Sequence, residues 1–426
     1  MKLAIRNGHV IDPASGVSEP MDLLVADGVI QEMARPGALG AADETIDAGG
    51  MVVCPGLVDI QVHFREPGFE SKETIATGSR AAARGGITSV VTMANTSPPI
   101  DNAGLVELVT RRARESACVK VRPAACATKA MRGEELTEMA ELKEAGAVAV
   151  TDDGRDIRSS AVMRRVLEYA NMVGLPYLAH CQDEDLSEGG AMSEGAVSTD
   201  MGIPGIPREA EEIRIDRNIR LAELAGAHIH IQHISTAQGV DIVRQAKKRG
   251  ARVTAESAPH YWSLTDEAVR RFNTNAKMYP PLRGAADAEA IIAGFADGTL
   301  DNIATDHAPH TRTEKNVEFQ AAPFGIIGLE TSLALTVTHL VNPGHITLEK
   351  AVELMSIGGS RVCSLGAGEL RPGGPADICV FDPAEKWTVT ERDFGSKSAN
   401  SPYIGVTLTG RVHCTLCDGK VVWRLT

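Results

Sequence analysis

At 426 residues the chain is long enough to bury a large core, and a 43% hydrophobic share fits a globular protein. A formal net charge of -13, with no basic block, argues against nucleic acid or an anionic membrane as partner; a small anion met by a local arginine is still allowed. No uncharged run approaches the ~20 residues needed to span a bilayer, and Met1 to Gly8 is already polar, so a cytoplasmic protein is expected.

From residue 1 to 54, Leu3 to Val10, Asp22 to Ala26, Val29 to Met33 and Met51 to Cys54 read as strands between Gly and Asp turns. A repeating alternation of short apolar strands and longer amphipathic segments follows, the pattern of βαβ units. The strands expected are Leu57 to His63, Ser89 to Met93, Val119 to Ala124, Ala147 to Asp152, Tyr177 to His180, His228 to His233, Val253 to Glu256 and Asn302 to Asp306. Helices are expected over Glu73 to Arg84, Glu134 to Ala145, Ala161 to Met172, Glu209 to Leu224 and Ala285 to Phe295. Eight such units suit an α/β fold of the (β/α)8 TIM-barrel type, with its active site at the carboxyl ends of the strands. A doubly wound open sheet is the alternative, but no Gly-rich phosphate fingerprint follows the early strands.

Beyond about residue 366 short strands return, in the run Gly368 to Phe381 and in Val412 to Trp423. Neither end alone supplies enough strands for a stable sheet, so both termini are expected to pair. The division is a small β-sandwich domain of residues 1–54 plus 366–426 and a barrel of 55–365. The eight cysteines, at 54, 118, 126, 181, 363, 379, 414 and 417, lack the spacing of a disulfide framework, which suggests a reducing compartment. Cys414-Thr-Leu-Cys417 has half of a zinc ribbon's spacing but no second pair, and packing is expected there.

Metal-capable residues recur at the ends of the expected strands: His63, Asp152 and Asp153, His180, His233 and Asp306. A single strand histidine is more often a satisfied core residue, but these ends meet at one barrel face. Side chains two apart in a strand share a face, so Asp59, Gln61, His63 and Arg65 should project together. His228 and His230 alternate against His233, so both sets are not expected to point inward; His233, at the strand end, is preferred. His9, His339, His345 and His413 lie away from the strand ends and read as surface or packing residues.

The segments Val58-Asp59-Ile60-Gln61-Val62-His63-Phe64-Arg65-Glu66-Pro67-Gly68, Met93-Ala94-Asn95-Thr96-Ser97-Pro98-Pro99, Thr151-Asp152-Asp153-Gly154 and Ala179-His180-Cys181 open a longer series. It continues with His233-Ile234-Ser235-Thr236, Lys277-Met278-Tyr279-Pro280-Pro281-Leu282-Arg283-Gly284, Ala304-Thr305-Asp306-His307-Ala308-Pro309-His310 and Ala322-Pro323-Phe324-Gly325. In this order the series resembles the class I dihydroorotases of the amidohydrolase superfamily across nearly the whole chain. The resemblance implies zinc, one or two ions per chain, with His63, Asp153 as a bridging carboxylate, His180, His233 and Asp306 as ligands. Asp152 is then left with a supporting or helix-capping role. Substrate contacts fall on His63, Arg65, Asn95, His310, Phe324 and Gly325.

The implied reaction is the reversible cyclisation of N-carbamoyl-L-aspartate to L-dihydroorotate in pyrimidine biosynthesis, with Asp306 as base and then acid. Zinc brings the pKa of bound water toward ~7, which makes a nucleophile available at neutral pH. Arg65 suits a bidentate grip on the substrate carboxylate. A homo-oligomer, and association with aspartate carbamoyltransferase, are the partners expected.

Two departures from the family pattern stand out. Gln61 occupies the place of the first histidine of a His-x-His pair, and Tyr279 stands where many relatives carry asparagine. Losing a residue that merely orients a ligand costs ~10- to 100-fold in metal affinity, so exchanging a ligand costs at least that. The site of Asp153, His180 and His233 is therefore expected to fill first. Two other readings compete: a non-catalytic scaffold for the carbamoyltransferase, and another cyclic-amide hydrolase such as a hydantoinase or allantoinase, in which a carboxylated lysine generally replaces the bridging aspartate. Gly202 to Gly205 and Thr311 to Phe324 are candidate lids or ordinary surface loops.

Overall fold

In the computed structural model, which describes residues 2–425, the early apolar runs form strands β1 (Lys2–Asp12), β2 (Val17–Ala26), β3 (Val29–Ala34), β4 (Glu44–Asp47) and β5 (Val52–Pro55). Asp27 and Gly28, at φ 52° and 83°, make the two-residue turn between β2 and β3, the Asp-Gly pair that suits a tight hairpin. The strands that follow are β6 (Leu57–Val62), β7 (Ile87–Thr92), β8 (Lys120–Cys126), β9 (Ala149–Thr151), β10 (Tyr177–Ala179), β11 (Met192–Ser193), β12 (Gly205–Ile206), β13 (Ile229–Ile231), β14 (Val253–Ser257) and β15 (Asn302–Ile303). Strands β16 (Ile378–Thr388), β17 (Thr407–Cys417) and β18 (Lys420–Arg424) end the series.

Eight strands, in the order β6-β7-β8-β9-β10-β13-β14-β15 and all parallel, make the barrel; helices such as Ile75–Arg84, Ser160–Val173, Glu209–Ala225 and Ala285–Ala296 return the chain between them. Their starts follow local chemistry: Thr74 accepts from the Thr77 N–H at 3.1 Å, and Ser159 from the Val162 N–H at 3.3 Å. Between β15 and β6 the ladder shrinks to one parallel bridge, Val62 to His307, where the His63 N–H donates to the His307 carbonyl at 2.8 Å. Buried in that seam, the Asp59 carboxylate accepts from the Thr305 N–H at 3.2 Å and from its hydroxyl at 2.6 Å. Burial outweighs these bonds and pushes the Asp59 carboxyl up to about 7.

The terminal strands join in one sheet, ordered β18-β17-β16-β5-β1-β2-β3 with β4 paired to β1. The two chain ends meet where β5 lies antiparallel to β16, Val53 opposite Val380. Alternation along β16 serves two cores, as the two-residue period of a strand requires. Ile378 and Val380 pack with Val10, Leu23 and Val53, whereas Cys379 and Phe381 join the large core under the barrel. Cys414 and Cys417 are likewise split between the two cores as free buried thiols, which agrees with a packing role.

Several expected elements come out shorter, among them the fourth and sixth barrel strands, one helix and the eighth strand. The helix expected over Glu134 to Ala145 is confined to Met139–Glu144, because Leu136 bridges to Thr128 and the Thr137 hydroxyl donates to the Cys126 carbonyl at 2.7 Å. The eighth barrel strand stops at Ile303, since the chain turns through Asp306 at φ 47°. Phe381→Ala is expected to cost about 3–5 kcal/mol through the cavity left between sheet and barrel. Urea unfolding should show it as a lowered midpoint, and an unchanged midpoint would mean that the sheet does not brace the barrel.

Candidate active site

Residues just beyond the barrel strand ends leave the extended conformation. Arg65, His233 and Asp306 adopt φ values of 60°, 36° and 47°, a left-handed backbone that costs of order 1–3 kcal/mol each for non-glycine residues. Neighbouring bonds hold these turns in place. Next to His233, the Ile234 N–H donates to the Glu256 carbonyl at 2.9 Å and the Gln232 N–H to Ala179 at 3.1 Å. Next to Asp306, the His307 N–H donates to the Thr305 hydroxyl at 3.1 Å, itself anchored on Asp59.

These turns open on a cavity of about 180 Å³ lined by His63, Arg65, Asn95, Asp153, His180, His233, Asp306, His310, Phe324 and Gly325, all singled out from the sequence, together with Gly154, Met278, Tyr279 and Ala308. One nitrogen each of His180 and His233 and one carboxylate oxygen of Asp153 lie within 4.8 Å of one another, and His180 Nδ1 is 2.8 Å from His233 Nε2. Two imidazole nitrogens and a carboxylate oxygen converging in a buried place form a donor set that fits zinc, and His180 Nε2 finds no partner among the described residues. Burial pulls the His180 imidazole down. Burial also opposes charge on His233, but the Asp153 hydrogen bond and the field of Asp306 raise it to about 8. The three histidines hold the Asp153 carboxyl well below the usual carboxylate range, against the opposite pull of its burial.

His63 stands on the other side of Asp153, with Nε2 3.3 Å from Asp153 Oδ2 and 3.0 Å from Asp306 Oδ1. Its Nδ1–H donates to Asn95 Oδ1 at 2.9 Å, since a carbonyl oxygen can only accept. Asn95, expected as a substrate contact, thus also orients His63. Gln61 donates from Nε2 to Asp153 Oδ1 at 3.2 Å, and its buried Oε1 finds no partner among the described residues. Of the four residues expected to project together, His63 and Arg65 line the cavity, Gln61 reaches it through Asp153, and Asp59 stays in the seam on Thr305.

On the substrate side, Arg65 Nε donates to the Pro309 carbonyl at 3.3 Å, and burial lowers its guanidinium to about 10, leaving it charged at neutral pH. His310 Nε2 donates to the Phe324 carbonyl at 2.7 Å. Tyr279 lies over His180, rings 5.4 Å apart and inclined 24°, and 5.1 Å from the Phe324 ring, so it walls the cavity. The loop before Gly325 is folded around two lysine amino groups, which burial lowers to about 8 at Lys277 and about 7 at Lys315. Lys277 Nζ donates to Phe319, Gln320 and Ala322 carbonyls at 2.7–2.9 Å, and Lys315 Nζ to Thr274 and Pro323 at 2.9 and 2.8 Å.

Of the two roles expected for Asp152, the supporting one is found: it accepts from the Ala127 and Thr128 N–H groups at 2.9 and 3.1 Å and so ties the end of β8 to that of β9. One expectation needs correction. His230 does turn toward the barrel interior along with His233, because the left-handed turn at His233 breaks the two-residue alternation; His230 pairs there with Glu256 at 3.1 Å. Two residues that hold His310 from behind the cavity wall carry no signal in the sequence. Lys72 Nζ donates to His310 Nδ1 at 3.3 Å. The Asn400 amide accepts from the His310 N–H at 3.0 Å and donates to the Ala308 and Gly325 carbonyls at 3.0 Å.

Residues 50–239 match the family model described as Dihydro-orotase-like. The chain is 51% identical to a dihydroorotase of Geobacter sp. (strain M21) and 48% identical to one of Acetivibrio thermocellus, over 100% and 99% of this chain. Among solved structures it is similar to dihydropyrimidinase from Brevibacillus agri NCHU1002, with a TM-score of 0.87 and 23% identity, covering 100% of this chain and 95% of that one. It is also similar to L-hydantoinase from Arthrobacter aurescens, with a TM-score of 0.88 and 25% identity over 100% and 97%. Those likenesses place the barrel and its terminal sheet among the cyclic-amidohydrolase folds, and the twofold higher identity to the former group decides the family. The chain belongs to the dihydroorotases.

Proposed function

We propose that this cavity carries out the reversible cyclisation of N-carbamoyl-L-aspartate to L-dihydroorotate, with zinc held by Asp153, His180 and His233 and, on the other side of Asp153, by His63 and Asp306. The observation that carries this reading is the convergence of these five side chains with Arg65, Asn95 and His310 in one cavity of about 180 Å³. Zinc bound there would supply the Lewis acidity that makes water a nucleophile and polarises the ring carbonyl.

The chain's own groups do the rest. Arg65 and His310 take the substrate carboxylate, Arg65 by a planar pair of N–H donors. Phe324, Gly325 and Tyr279 form the wall along the ring. The Asp306 carboxylate accepts a proton from the attacking water and returns it to the ring nitrogen as the amide bond opens. In the opposite direction the same carboxylate takes the proton from the carbamoyl nitrogen as the ring closes.

Gln61 makes the two metal positions unequal. Its amide nitrogen bonds Asp153 Oδ1 and offers no lone pair to a cation. The His63 side is therefore left with its single imidazole, the two carboxylates and the neutral Oε1 of Gln61, a weaker donor than imidazole, while Asp153, His180 and His233 keep a complete set. Self-association is part of the proposal, supported by the exposure of Met172, Ile213 and Leu224 (74, 52 and 62%) on the neighbouring helices Ser160–Val173 and Glu209–Ala225. Association with aspartate carbamoyltransferase, whose product is this substrate, completes it.

Purified protein is expected to close the ring of N-carbamoyl-L-aspartate and to leave hydantoin unopened; zinc-loaded protein inactive on the first substrate would overturn the assignment. Asp153→Asn should lose zinc affinity by more than ~100-fold in a chelator-competition titration, with circular dichroism unchanged. Gln61→His should raise the number of tightly held zinc ions per chain, and the same number in both proteins would remove Gln61 from the centre. Arg65→Lys keeps the charge but loses the planar fork, and should raise KM about 10- to 100-fold with little effect on zinc content.

A further inference from the structure

Tyr279 stands between two hollows. On one side is the active-site cavity of about 180 Å³; on the other is a pocket of about 400 Å³ lined by Arg158, Glu184, Asp185, Ser187 and Glu188, and Tyr279 alone lines both. The outer pocket belongs to the segment that follows β10, where the short helix Glu184–Ser187 begins soon after His180. It faces solvent, since the Arg158 and Asp185 side chains that pair across it are 56 and 73% exposed.

The ring between them is held from several directions. It lies over His180 at 5.4 Å, and the Phe324 ring stands 5.1 Å away, with Lys277 Nζ 4.5 Å from the centre of that second ring. The phenol end reaches the Ser187 side chain. Ser187 is itself fixed by donating its hydroxyl to the Asp183 carbonyl at 2.7 Å, and Asp183 accepts from the Asp185 and Leu186 N–H groups at 3.1 Å. Neighbours so anchored relax only in part when a large side chain is removed, so a truncation here leaves an opening rather than a collapsed wall.

We propose that Tyr279 is a specificity-determining residue: its ring is the partition that ends the substrate cavity and keeps out carbamoyl-aspartates bearing an extra alkyl group, which would otherwise extend into the pocket beside Arg158 and Glu188. The proposal rests on the dihydroorotase reading and adds to it an upper limit on substrate size. Tyr279 also packs on the metal-centre histidine His180, so a purely structural part is the competing account. That part would lower turnover of every substrate together and leave their ratio as it is.

The test compares kcat/KM for N-carbamoyl-L-aspartate with that for analogues carrying methyl, ethyl or propyl on the methylene carbon or on a ureido nitrogen, using the zinc-loaded full chain. The ratio of the best propyl analogue to the unsubstituted compound is expected to rise at least tenfold in Tyr279→Ala, within the range that a few methylenes are worth in a pocket. Tyr279→Phe keeps the ring and should keep the parent's ratio; Tyr279→Leu should show a smaller rise and serves if the alanine variant fails to fold. No rise for any analogue in whichever truncation folds would overturn the proposal. Crystal structures of parent and truncation, read without turnover, are expected to show two voids in the first and one continuous void in the second; two voids in both would overturn it as well. A parent protein inactive on N-carbamoyl-L-aspartate would strike the functional reading, while the two structures still decide the partition.

Discussion

The barrel's closing seam sets everything else. Where the other strands share ladders, the first and last are joined by one bridge at Val62 and His307 and by the buried carboxylate of Asp59 gripping Thr305. The seam separates His63 on one strand from Asp306 on the other, and these two side chains must meet at 3.0 Å. Asp59 holds the left-handed turn at Asp306 as well, so one carboxylate both closes the barrel and aims the Asp306 side chain at His63. An unpaired buried carboxylate would be costly, which is why its contacts with Thr305 are so close.

Charge inside the cavity runs against charge outside. The chain carries a net -13, yet its substrate is an anion. Exposed charges more than about 10 Å apart are largely screened by salt, whereas buried ones are not, so the local arrangement decides. Arg65, Lys72, Lys277 and Lys315 surround the His310 end, and Asp153 and Asp306 sit among imidazoles at the other. The cavity is thus divided into an end of carboxylates and imidazoles and an end of basic side chains, with Tyr279 and Phe324 as an aromatic wall.

Much of this was legible in the sequence because period-two apolar runs and polar residues at their ends are local signals. Each of the eight strands lies where its run predicted it, and the functional residues follow within a few positions of the strand ends. What escaped has physical reasons. Left-handed turns at Arg65, His233 and Asp306 break the alternation from which facing was inferred, so His230 could not be placed by parity. Leu136 and Thr137 give up helix for bonds to β8, a tertiary preference invisible to propensity. Lys72 and Asn400 carry no periodic or motif signal of their own, since a lysine in a loop and an asparagine before a strand read as solvent-facing until their partners are known. Gln61 is the opposite case: its chemistry was evident from the residue type alone, and the bond to Asp153 gives it a location.

Asn400 carries a consequence for the order in which a newly made chain becomes competent. Its amide, 3% exposed, ties the His310 and Gly325 segments together, yet it is translated almost a hundred residues after the last barrel strand. The clasp on the Gly325 segment of the cavity wall is therefore supplied by a residue that follows every barrel strand in the chain.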